Sequence, residues 1–121
     1  MTPLGAKMRN LRSERGITLK QMAEALNVSS AYLSALEHGR RGKPTWFLLQ
    51  RIITYFNVIW DEAEELQRLA ELSDPKITID TAGLAPEATE LTNRLANAIN
   101  RLTPEDLVHL KNEIVRRAAG R

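Results

Sequence analysis

Four residues of the kind that end helices, Gly16, Asn27, Gly39 and Asn57, cut the first sixty positions into segments that can fold only as short helices burying one another. Each follows an apolar stripe of helical spacing, and glycine or asparagine tolerates the left-handed backbone that closes a helix. Leu4, Met8 and Leu11 fall at i, i+4 and i+7, the inward face of a first helix. Thr18 opens a second, with Gln21 three residues on, a spacing that lets each side chain bond the other's backbone N–H. Met22, Ala23 and Leu26 form its inward stripe. Ser29 caps a third helix whose Leu33 and Leu36 face inward, and Gly39 ends it. After the loop Arg40-Arg41-Gly42-Lys43-Pro44, Thr45 caps a fourth helix running through Phe56, and Asp61 starts a fifth reaching about Leu72.

The pattern breaks over 73–86. Ser73-Asp74-Pro75 is a stop, Ile77-Thr78-Ile79 is β-branched and alternating and leaves room for one short strand, and Gly83 and Pro86 bracket a turn. Helical spacing returns from Glu87, with Leu91, Leu95, Ala98 and Leu102 on one face. Thr103-Pro104-Glu105-Asp106 begins another helix, with a cap residue, a proline at the first position and acids at the positive end of the dipole. Leu107, Leu110 and Ile114 continue the stripe. The expectation is an all-α chain: a five-helix domain over 1–72, then a helical hairpin within 73–121. Trp46 and Trp60, at helix boundaries among apolar neighbours, are expected in the core.

Charge separates the same two parts. Residues 1–60 hold nine Lys or Arg against three acids, Glu14, Glu24 and Glu37, whereas residues 61–121 hold eight against twelve. A basic half can neutralise phosphates, with binding that weakens as salt rises. Other classes have little to build from. There is no cysteine, and His38 and His109 are the only histidines, far apart in sequence. No metal site, cofactor or nucleophile–base set is expected, so the chain does not read as an enzyme. Asp61, Glu62, Glu64 and Glu65 crowd a helix start, where the dipole favours acids, and read as a solvated face. No apolar run approaches the roughly 18 to 20 residues that span a bilayer, and Met1 to Asn10 lacks a signal-peptide stretch. A cytoplasmic protein without membrane contacts is expected.

The informative unit is 18–38, two short helices joined at Leu26-Asn27-Val28-Ser29, a spacing that sets the second helix steeply enough to enter a major groove. The ordered set Leu-Arg-x-x-Arg-Gly, Met-Ala-x-x-Leu-x-Val-Ser and Tyr-Leu-Ser-x-Leu-Glu-x-Gly resembles the Xre-type, phage-repressor-like helix-turn-helix regulators, over roughly residues 4–66. The resemblance implies a recognition helix from Ser29 to His38, with Ser29, Ser30, Ala31, Tyr32, Ser34 and Ala35 toward the bases. It implies phosphate contacts from Thr18, Lys20, Arg40, Arg41 and Lys43, and a buried ion bridge between Arg12 and Glu37. Two departures stand out. Leu19 sits where the family often has a phosphate-binding Gln, and the recognition helix has no Arg, Asn or Gln, the residues that bond guanine or adenine bidentately. Base reading by hydrogen bonds would then be modest, with DNA shape carrying part of the specificity.

The stripes of residues 87–118 cannot both be buried by two short helices alone. Phage-repressor-like proteins usually bind paired half-sites as symmetric dimers. Residues 73–121 are therefore expected to dimerise the chain through Leu91, Leu95, Leu102, Leu107, Leu110 and Ile114. The expected function is a dimeric, sequence-specific transcriptional regulator acting on double-stranded DNA as a repressor. The alternative is an antitoxin that uses the same DNA-binding half and occupies a toxin protein, or another regulator, with the second. A ligand-sensing second half would need a pocket with converging polar groups, which its Ala- and Leu-rich helices do not advertise.

Overall fold

A computed structural model describes all residues, 1–121, and the chain is helical throughout, with no strand. Five helices form the first part: α1 (Pro3–Arg15), α2 (Leu19–Leu26), α3 (Ser30–Glu37), α4 (Trp46–Phe56) and α5 (Asp61–Glu71). Four of the five begin at a hydroxyl cap. Thr2, Thr18, Ser29 and Thr45 each accept the backbone N–H three residues on, relieving one of the donors a helix start leaves unpaired. At α2 the Gln21 side chain returns the bond to Thr18 N, completing the capping box. The ends are closed by left-handed residues, Gly16 after α1, Asn27 after α2 and Asn57 after α4.

Helices of eight residues, such as α2 and α3, do not persist alone in water. They stand here because their stripes meet. Leu4 and Met8 of α1, Met22 and Leu26 of α2, Leu33 of α3, Ile52 and Phe56 of α4 and Leu66 of α5 are almost wholly buried and form one cluster. Such side chains are worth about 1.5–3 kcal/mol each in water-removal terms. α1 packs on α3 and α5, and α2 on α3 and α4. Ser73 lies beyond α5 yet is buried, because its Oγ accepts the free N–H of Leu4 at 3.0 Å.

Trp46 and Trp60 are not in this core. They are 66% and 80% exposed, and Phe47 is 75% exposed. The buried stripe of α4 begins only at Leu48, so the first residues of the helix project beyond the layer that covers it. At Trp60 the backbone turns through φ 55°, a conformation rare for bulky residues, and throws the indole outward before α5 begins.

The chain divides into two compact units, Met1–Ile77 and Thr78–Arg121. The second holds α6 (Pro86–Ala98), a single 3-10 turn over Ile99–Arg101, and α7 (Pro104–Ala118). α7 opens on a capping box between Thr103 and Asp106, with Pro104 at its first position. Near its end Glu113 accepts from Arg116 and Arg117, and these bonds hold its carboxyl below the ordinary carboxylate range. Neither α6 nor α7 has a buried residue. Leu91, Leu107, Leu110 and Ile114 are exposed, and Leu95 and Leu102 are half-buried. Ile77-Thr78-Ile79 is irregular rather than a strand. A strand needs a ladder partner, and none lies beside it. Asp74 and Asp80 on either side instead accept the backbone N–H two residues on, from Lys76 and Ala82, bonds that favour turns.

Candidate nucleic-acid interface

The turn between α2 and α3 is built from local bonds. Asn27 takes φ 58° and Val28 N–H reaches back to Ala23 O at 3.0 Å. The chain thus reverses within three residues, and Ser29 starts α3 at once by accepting Tyr32 N–H at 3.0 Å. Leu33, Leu36 and Glu37 take the inner side of α3. Ser30 and Ala31 are left exposed, with Tyr32, Ser34 and Ala35 half-buried beside them. The outer face of α3 therefore carries only small side chains, flanked by one ring. The Ser29 hydroxyl is engaged as a cap, and so is that of Thr18.

α1 holds α3 from behind. One nitrogen of Arg12, Nη2, donates to both Glu37 oxygens at 2.9 Å, and the two side chains are 10% and 1% exposed. Arg12 Nε is buried without a partner. Thr2 N–H donates to Glu37 O at 2.9 Å, and Gly5 lies so near that a Cβ there would fall 2.2 Å from the same oxygen. The recognition-type helix is thus tied at its C-terminal end by a charge pair, a backbone bond and a close approach.

The cations of the first sixty residues sort into two groups. Lys7 pairs with Glu65 at 3.7 Å and Arg12 with Glu37. Arg15 donates to Phe56 O, the last carbonyl of α4, and its guanidinium lies over the Phe56 ring. Arg51 donates to Leu26 O, the last carbonyl of α2. These four brace the fold. Arg9, Lys20, Arg40, Arg41 and Lys43 have no carboxylate or carbonyl partner and are exposed. Of these five, Lys20 lies in the first turn of α2, and the other three after Arg9 form the loop that leaves α3. The cations available to a polyanion are therefore mostly those that border the helix-turn-helix. Leu19, where the resembled family often carries Gln, is half-buried and packs against the core.

Sequence reasoning missed three of these features. Arg15 and Arg51 enter the sequence reading only within the count of basic residues, although a cation near a helix C-terminus has a standing reason to be there. Gly5 was passed over. Its signal was its place inside a helix, where glycine is destabilising by about 0.5–1 kcal/mol relative to alanine and so calls for a packing reason. No three acidic or histidine side chains converge in a way that could hold a metal ion, and no helix is long and apolar enough to cross a membrane.

Residues 3–66 match the family model described as a helix-turn-helix domain. Among curated proteins, the uncharacterized HTH-type transcriptional regulator RghRB of Bacillus subtilis (strain 168) is 33% identical over 61 residues, covering 50% of this chain and 44% of its own length. The HTH-type transcriptional repressor RghR of the same organism is 43% identical over 44 residues, 36% of this chain and 33% of its own. The HTH-type transcriptional regulator PrpR of Mycobacterium tuberculosis (strain ATCC 25618 / H37Rv) is 33% identical over 72 residues, 58% of this chain and 15% of its own. The chain spans less than half the length of each of these relatives.

Proposed function

Since the chain belongs to the helix-turn-helix domain family that its residues 3–66 match, we propose that it is a DNA-binding transcriptional regulator, a dimeric, sequence-specific repressor. α3 enters the major groove with Ser30, Ala31, Ser34 and Ala35 toward the base edges, and Lys20, Arg40, Arg41 and Lys43 contact the flanking phosphates. The observation that carries this reading is the sorting of the cations. Those bordering α3 are unpaired and exposed, while four others are bound into the fold. Serine can bond almost any base and alanine can touch a thymine methyl, so the helix reads partly by close fit. The apolar side chains of the second unit, with Leu91, Leu107, Leu110 and Ile114 exposed and Leu95 and Leu102 half-buried, join two copies. A dimer reads half-sites about one helical turn, ~34 Å, apart. Repression is supported by the likeness to RghR, a transcriptional repressor.

Selection of duplexes from a random pool by the full chain, followed by a salt titration, tests this. The expected outcome is a two-fold symmetric motif, with Lys43→Ala lowering the salt slope by about one unit. A pool that converges on no motif, or an unchanged slope for Lys43→Ala and Arg40→Ala alike, would refute it.

A further inference from the structure

Arg41 differs from the other free cations in having an aromatic neighbour. Its guanidinium carbon lies 5.8 Å from the centre of the Tyr32 ring, within the ~6 Å over which a ring face attracts a cation. The two residues are unequal in freedom. Tyr32 stands in the first turn of α3, its N–H fixed to Ser29 Oγ, and its ring is half-buried against the core. Arg41 is exposed, in a loop anchored where Arg40 N–H meets Ala35 O at 2.9 Å. The next residue, Gly42, takes φ 72°, and a Cβ there would touch nothing within 4 Å. Glycine is required at that point by conformation rather than by space, and the left-handed turn it allows accompanies the return of Arg41 over α3.

We infer that Tyr32 is a positioning residue for Arg41 and not a reader of bases. The ring face is occupied by the guanidinium and is closed to stacking. What it provides is an arginine already laid along the flank of α3, beside the phosphates that border the groove. An arginine loose in water loses rotamer freedom when it binds, and one held beforehand loses less. Lysine would serve poorly at 41, because the planar guanidinium stacks on a ring where a compact ammonium remains hydrated. This inference rests on the DNA-binding reading above and names the arrangement that makes one of its contacts effective.

A double-mutant cycle on a selected duplex tests it, with Tyr32→Leu, Arg41→Ala, the pair together, and Tyr32→Phe. Tyr32→Leu is expected to weaken binding about two- to five-fold, the size of an exposed cation–π contact. In the Arg41→Ala background the same change should have almost no effect. Tyr32→Phe keeps the ring and should bind like the wild type. Should Tyr32→Leu fail to fold by circular dichroism, Tyr32→Met takes its place in the cycle. Additive losses, with the wild type binding normally, overturn this inference alone. So does a loss in Tyr32→Phe equal to that in Tyr32→Leu, which would give the hydroxyl a direct contact. A wild type that binds no duplex even at low salt overturns both this inference and the DNA-binding reading.

Discussion

Glu37 is attached to α1 in three ways at once: through its carboxylate to Arg12, through its carbonyl to Thr2, and through the close passage of Gly5. The carboxylate is 1% exposed, so its removal would strand the Arg12 charge in a dry site, which costs about 3–5 kcal/mol. Glu37→Ala should therefore lower the melting temperature far more than Glu24→Ala, whose side chain is exposed. Equal and small shifts would mean that the pair is not buried in solution. Gly5→Ala makes a sharper demand. Alanine is the better helix former by about 1 kcal/mol, yet its Cβ would meet the Glu37 backbone at 2.2 Å, and overpacking typically costs about 1–3 kcal/mol. Backbone on both sides cannot swing away as a side chain could, so the balance falls toward loss. A denaturant midpoint that drops with an unchanged slope is the expected result, and a gain in stability would contradict the packing. Arg12 and Glu37 could be paired in the sequence because the resembled family pairs the matching positions. Gly5 could not be read in this way, because its partner is remote in the chain and its environment exists only once α1 lies on α3.

At the scale of elements, the helices were legible because their signals are local. Thr18 and Gln21, or Thr103 and Asp106, find each other within one turn, so four adjacent letters carry the whole interaction. The tryptophans and Ile77-Thr78-Ile79 show where such reading stops. Periodicity says which face of α4 turns inward but not how far along the helix the core extends, so Trp46 looked buried and is not. β-branched alternation gives a segment the shape of a strand, and a strand also needs a neighbour that the sequence does not name. α3 offers the most direct test among the elements. Ala31 is exposed on its outer face, so Ala31→Leu should leave the melting temperature unchanged. If α3 sits close against base edges, the added bulk should abolish binding to a selected duplex. Retained affinity in a folded Ala31→Leu protein would place α3 outside the groove.

The whole molecule consists of two units, the first with a closed core and the second with none. Leu91 on α6 and Leu107, Val108, Leu110, Ile114 and Val115 on α7 are exposed, apolar surface of the kind that marks interaction sites. Under the dimer reading, Leu110→Asp places a charge in that surface and opposes association. Light scattering should then give a monomer mass where the wild type gives a dimer, and affinity for a two-half-site duplex should fall while single-half-site binding persists. A wild type that is monomeric both free and on DNA would leave α6 and α7 to another protein partner.

The outward tryptophans also determine how this molecule can be watched. Indole emission shifts when the ring leaves an apolar interior for water, and Trp46 and Trp60, the only two indoles in the chain, are already largely in water. Their emission colour should change little as the helices melt, so thermal unfolding is better followed by the far-ultraviolet backbone signal. Under the DNA-binding reading, Trp46, three positions after Lys43, should instead sense a duplex arriving at the loop. Loss of its quenching by DNA in Trp46→Phe, with that of Trp60 unaffected, would give the protein an optical reporter of occupancy that needs no added dye.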